Sequence, residues 1–299
     1  MPRYLGLAKE IFMIRPDRFI WLSIILLLIG CSPSAEGARP RPGRTLTIFA
    51  AASLTDAFAA MATAFQAEHP EVEIVFNFAG SQTLRLQIEQ GAQADVLASA
   101  NLEHIATLQA AKLVGSPVLF ARNQLVVILP QANPGRIETL AALAKPALKL
   151  VLAGPEVPVG RYARQALANL NKHPELSPDF SSQVLANLVS EEENVRGVVA
   201  KVQLGEADAG IVYSSDVAVT NTSIIKTLAI PPEFNVVADY PIALVSESDE
   251  AEIGQAFIDF ILSAPGQAIL VEYGFQPLRL ESRRGPEPAN HFSRVGPAS

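Results

Sequence analysis

The chain has 299 residues, is 49% hydrophobic and 18% charged, and carries a formal net charge of −7 at neutral pH. That length can bury one large core or two medium ones, while the acidic balance excludes the clustered basic surface that nucleic-acid binding needs. With Cys31 as its only cysteine, the chain has no internal disulfide framework and no thiolate metal cluster.

The first feature in chain order is Phe19 to Gly30, a nearly uninterrupted apolar run behind Arg15 and Arg18. It falls short of the roughly 20 residues a membrane-spanning helix needs and has the pattern of a secretory signal. It ends Leu28-Ile-Gly-Cys31, which resembles the lipobox of bacterial lipoproteins. The resemblance implies a signal peptide over residues 1–30, with either Met1 or Met13 as the start, and lipid attached to Cys31. Removing residues 1–30 takes four basic and two acidic residues with it, moving the net charge from −7 to −9. Residues 31–44 are rich in Pro, Gly and Arg without a periodic apolar face, so they read as a flexible tether. Residues 281–299 share that character and read as a disordered tail.

From Thr45 onward strand and helix patterns alternate. Strands are predicted at 45–50, 72–78, 95–99, 124–129, 149–153, 208–213 and 237–245. Helices are predicted at 54–68, 82–90, 101–111, 137–144, 160–170, 195–204 and 250–272, the last broken near Pro265. The alternation indicates an α/β fold with mainly parallel sheets flanked by helices.

Several strand-to-helix junctions share one character. Thr47-Ile-Phe-Ala-Ala-Ala-Ser-Leu54 runs from a strand through three alanines to Ser53, placed to cap a helix, with Asp56 completing a capping-box pattern. Phe78-Ala-Gly-Ser-Gln-Thr83 again ends a strand and opens a helix at Ser81. Gly154-Pro-Glu-Val-Pro-Val-Gly160 follows a strand and precedes a helix. Glu193-Asn-Val-Arg-Gly197 opens a helix with Asn194 as N-cap and Gly205 beyond its end. Ala209-Gly-Ile-Val-Tyr-Ser-Ser-Asp216 closes a strand on Tyr213. Small residues at a helix start leave backbone N–H groups uncovered, and these, with the helix dipole, favour an anion.

These five segments, in this order and spacing, resemble the molybdate-binding proteins of ABC importers over roughly residues 44–280. The resemblance implies a two-lobed periplasmic-binding-protein fold of type II, with the ligand in the interlobe cleft. Lobe 1 would comprise residues 45–123 plus 247–280, and lobe 2 residues 124–246. It further implies an oxyanion held by the hydroxyls of Ser53, Ser81 and Tyr213 and by backbone N–H groups around Val159 and Val195. Pro158-Val-Gly160 stands where the family usually has proline-alanine-glycine after a slightly longer loop. Molybdenum would enter only as the oxyanion, molybdate or tungstate, with no separate cofactor or metal. The implied partners are the permease and ATPase subunits of an ABC importer and, through the lipid, a bacterial membrane; the chain would act as an extracytoplasmic monomer.

No lysine or arginine falls on those five positions, and Arg161 and Arg196 are expected to face solvent. Phosphate carries a proton at neutral pH and benefits from an acceptor, whereas molybdate, tungstate and sulfate need donors only, so a sulfate-class receptor is the alternative reading. A secreted α/β hydrolase is a more remote one, since the chain has no Gly-x-Ser-x-Gly elbow. His69, His104, His173 and His291 form no pair at metal-ligand spacing, and Glu191-Glu-Glu193 reads as a solvated loop or first helical turn.

Overall fold

A computed structural model describes residues 43–218 and 223–278. The signal sequence, Cys31, most of the tether and the C-terminal tail lie outside these residues.

The first strand, β1 (Arg44–Ala51), pairs in parallel with β2 (Val72–Ala79) on one side and β3 (Val96–Ala98) on the other. Between them run α1 (Thr55–Glu68) and α2 (Ser81–Glu89); α3 (Leu102–Ala110) follows β3. The long β4 (Val118–Pro130) then changes partners along its length. Its residues 118–124 pair antiparallel with β9 (Val237–Leu244), and β9 pairs antiparallel with β3. Its residues 125–130 pair antiparallel with β7 (Ala209–Tyr213) and β8 (Ile225–Ala229). Beyond β7, β5 (Leu150–Ala153) and β6 (Leu188–Glu192) complete a second group in parallel. Its helices are α4 (Pro158–Leu170), α5 (Phe180–Leu185), α6 (Val195–Gln203) and α7 (Ser214–Ala218). The chain ends on the first group with α8 (Ala251–Leu262) and α9 (Ala264–Glu272), bent by 64° at the break before Pro265.

This is the two-lobed α/β architecture, with β4 passing from one lobe to the other. The parallel pairings lie toward the outside of each lobe; those through the middle are antiparallel. Residues 237–244, assigned from the sequence to the second lobe, hydrogen-bond within the first lobe's sheet as β9, because β9 fills the gap between β3 and β4.

Each lobe has an apolar interior. In the first, Phe58 is fully buried with its ring centroid 5.8 Å from Phe120 and 6.0 Å from Phe257. Truncating such a ring costs roughly 3–5 kcal/mol. In the second, Leu152, Ala163, Leu167, Val198 and Val212 are buried between sheet and helices. The helix expected over 137–144 is only a short 3-10 segment, Leu140–Ala144. Strands β6 and β8 and helices α5 and α7 were not foreseen.

Candidate functional site

The parallel register sets the geometry. Ala51 pairs with Ala79, so Ser53 and Ser81, each two residues past its strand end, emerge side by side at the carboxyl edge of the sheet. That edge is where open α/β sheets place their ligands. Opposite them, α4 and α6 begin just past β5 and β6, whose ends are paired at Ala153 and Glu192. Tyr213 ends β7, paired with Leu125 of β4.

A cleft of about 220 Å³ joins these ends, and Ser53, Ser81, Val159, Val195 and Tyr213 all line it. The rest of its wall is Ala51, Ala52, Ala79, Gly80, Ala100, Val157, Pro158 and Asn194, with no ionisable acid or base. The structure therefore brings together all five positions inferred from the sequence. Its walls leave a narrow space that suits a small ion rather than a drug-sized molecule.

Neither serine is a helix cap, contrary to expectation. Ser53 lies inside a 3-10 turn, Ala52–Leu54, and α1 begins at Thr55 without a side-chain cap. Its Oγ is 2.9 Å from the Tyr240 hydroxyl, and Asp56 is paired with Arg196 rather than with the helix start. Ser81 is the first residue of α2, whose cap is Gly80, and its Oγ accepts the Ala100 N–H at 3.0 Å. Each hydroxyl is thus fixed by a residue from another segment, Tyr240 of β9 or Ala100 just past β3, and the Ser81 hydroxyl, which accepts one bond, still has a proton to donate.

The backbone donors follow from helix geometry. Pro158 occupies the first position of α4 and has no N–H, so Val159 presents the helix's first donor. Gly160 is required there: a Cβ would sit 2.1 Å from the Gly154 carbonyl oxygen and 2.3 Å from that of Ala153. Val195 is the first residue of α6, and its cap is Asn194, as expected, whose side chain accepts the Gly197 N–H at 3.2 Å. Gly205 closes that helix at φ +72, as its place beyond the helix end requires.

Tyr213 is 1% exposed, and its hydroxyl is buried without a hydrogen-bond partner of good geometry among the described residues. Burial, with the Tyr240 hydroxyl nearby, raises its pKa well above the ordinary value of 10, so it stays a neutral donor. Behind it, the buried Asp216 accepts the Tyr213 N–H at 3.1 Å and lies 3.9 Å from Arg196 Nε. Burial pushes the Asp216 carboxyl up to about 7, against the pull of Arg196 and of the Tyr213 N–H.

The two arginines do not simply face solvent. Arg196 pairs with Asp56 and donates to the Ala52 carbonyl at 3.3 Å; Arg161 pairs with Glu103. Both cross from the second lobe to the first, which no local pattern reveals. Glu191 and Glu192 lie in strand β6, not in a loop or helical turn, where Arg164 and Lys201 neutralise them. His69 is the C-cap of α1, and His173 lies in the turn after α4, each followed by a proline. Among the described residues no group of three His, Cys, Asp or Glu could hold a metal ion.

The chain is similar to known proteins over most of its length. Residues 46–276 match the family described as bacterial extracellular solute-binding protein. The molybdate-binding protein ModA of Mycobacterium tuberculosis is 35% identical over 253 residues, covering 83% of this chain and 92% of that protein. The periplasmic molybdate-binding protein of Azotobacter vinelandii superposes with a TM-score of 0.66 at 19% identity, covering 77% of this chain and 98% of that one. The sulfate-binding protein SubI of Mycobacterium tuberculosis gives 0.70 at 18% identity, covering 79% and 88%; at such identities the two structures speak for the fold alone. The chain belongs to the bacterial extracellular solute-binding proteins, the family that includes its molybdate-binding relatives.

Proposed function

We propose that this protein captures molybdate, and tungstate equally well, outside the cytoplasmic membrane and delivers it to an ABC importer. One observation carries the reading most directly: the buried Tyr213 hydroxyl meets no hydrogen-bond partner of good geometry among the described residues and sits in an uncharged wall that also presents Ser53, Ser81 and two helix starts. An unpaired buried hydroxyl is costly unless a ligand completes it. A wall that only donates suits a fully ionised dianion and opposes protonated phosphate, whose O–H would face other donors. The protein is thus a receptor and not an enzyme; its molybdenum arrives only as the oxyanion, without a further cofactor.

The donors come from both lobes, so a bound anion touches both walls only when the cleft is shut and favours that state. The strand pairing supports a hinge between lobe 1, residues 44–124 with 237–276, and lobe 2, residues 125–236. Calorimetry on residues 44–299 tests the ligand: molybdate and tungstate should bind far more tightly than sulfate or phosphate. Comparable affinities for sulfate and molybdate would instead assign a sulfate-class receptor.

The membrane partner is reached through lipid on Cys31, the protein acting as a monomer on a tether of about 13 residues that spans roughly 20 Å. Mass spectrometry of the mature protein should show a lipid-modified Cys31 at the N-terminus. An intact terminus at Met1 or Met13 would refute the anchor.

A further inference from the structure

Around the cleft, three side chains that do not line it reach across from one lobe to backbone carbonyls of the other. Gln82 Nε2, one residue past Ser81, donates to the Glu193 carbonyl at 2.9 Å, two residues before Val195. Arg196 Nε, one residue past Val195, donates to the Ala52 carbonyl at 3.3 Å, one residue before Ser53. His104 Nε2 lies 3.1 Å from the Glu156 carbonyl, three residues before Val159; since a carbonyl can only accept, that nitrogen carries the proton. Each link therefore ties a segment holding one anion donor to the opposite lobe. Gly80 makes room for the first of them: a Cβ there would lie 2.4 Å from the Gln82 amide and 2.6 Å from the Glu193 oxygen. Arg196 is further held by Asp56 and lies near the buried Asp216.

We infer that Gln82, His104 and Arg196 form a clasp, positioning residues that hold the closed cleft in register and so set the affinity for every oxyanion by one common factor. They do not touch the ligand, so they take no part in choosing among ligands. The reasoning is thermodynamic. Apparent affinity scales with the fraction of protein already in the binding-competent closed state. A contact made only between the lobes changes that fraction and nothing else. The donor set facing the anion governs selectivity and is untouched. The clasp rests on the oxyanion reading for its ligand but not for its effect on the empty protein.

The experiment compares the purified protein with its His104→Ala, Gln82→Ala and Arg196→Ala variants. Sodium molybdate is titrated calorimetrically, sodium sulfate by competition, and each ligand-free protein is measured by small-angle X-ray scattering. His104→Ala and Gln82→Ala should each weaken both anions by one common factor of about 3- to 10-fold, the worth of one hydrogen bond, and Arg196→Ala, which also removes the pair with Asp56, by a larger common factor. Each should also have a larger ligand-free radius of gyration than the parent. His104→Gln, which returns an N–H donor at similar reach, should recover affinity and compactness together, an outcome a merely structural histidine would not give. If Arg196→Ala fails to fold, the His104 and Gln82 variants decide. Unchanged affinity with unchanged dimensions overturns the clasp, as does an altered molybdate-to-sulfate ratio. If the parent binds neither anion, the oxyanion reading fails, while the scattering comparison still decides whether the three residues hold the lobes shut.

Discussion

Replacing Tyr213 with phenylalanine should move affinity and stability in opposite directions. The hydroxyl is buried and meets no hydrogen-bond partner of good geometry among the described residues, so the folded, empty molecule already bears much of the cost of its desolvation. Tyr213→Phe removes that cost while keeping the ring, which packs at 5.8 Å from Tyr240 in a tilted edge-on pair. Ligand-free stability should therefore hold or rise by ~1 kcal/mol, within the range for relieving an unsatisfied buried polar group. Molybdate binding should lose about 1.5–3 kcal/mol, the value of a hydrogen bond to a charged acceptor. That corresponds to a roughly 10- to 150-fold rise in Kd. Because burial keeps the phenol neutral, the loss should be the same at pH 6 and pH 8. Calorimetric titration gives the affinity, and urea denaturation without ligand gives the stability. Unchanged affinity would remove Tyr213 from the site; a clear fall in ligand-free stability would show that the hydroxyl has a structural partner.

Two further outcomes follow from the same geometry. Ser81→Ala leaves the buried Ala100 N–H unpaired and Ser53→Ala takes away the 2.9 Å partner of the buried Tyr240 hydroxyl, so each should cost about 1–3 kcal/mol of ligand-free stability; denaturation curves unchanged from the parent's would refute these assignments. For Asp216, the carboxyl's pKa is about 7 in the fold against an ordinary 3.8, so the folded state binds its proton more tightly and stability falls as pH rises through that window. Asp216→Asn keeps an acceptor for the Tyr213 N–H but no charge, so its stability relative to the parent should improve by about 3 kcal/mol between pH 5 and pH 8, and a pH-independent difference would overturn the argument.

The parts of this molecule that the sequence reveals are those whose causes lie within a few residues. A buried strand running through alanines into a helix is one continuous pattern, and the site is assembled from such junctions; the resemblance of the five segments to molybdate-binding proteins then picks out Ser53, Ser81, Val159, Val195 and Tyr213. Strand β6 escaped because it is an edge. Its Leu188-Val-Ser-Glu-Glu192 has the charged character that protects edges from further pairing, and those same carboxylates suggest a loop when read alone. Helix α7, of five residues, is too short to show a period.

The roles of the two serines were hidden for a different reason. A serine at a strand–helix junction is ordinarily a cap, because the nearest unpaired donors are the helix's own. Here the competing partners come from far along the chain: Tyr240 is 187 residues from Ser53, and Ala100 is 19 from Ser81. The same holds for Arg196, whose partner Asp56 is 140 residues away, and whose direction on α6 no helical periodicity could settle. This division has a physical consequence for the site. Local sequence supplies the anion's donors, since backbone N–H groups and hydroxyls at helix starts need only a turn of chain to present them. Long-range contacts supply their orientation and their enclosure, and these decide how well the donors converge. Selectivity among tetrahedral anions therefore rests on the donors those junctions present, aimed by pairings such as Ser53 with Tyr240, while contacts between the lobes such as that of Arg196 set how tightly every anion is held.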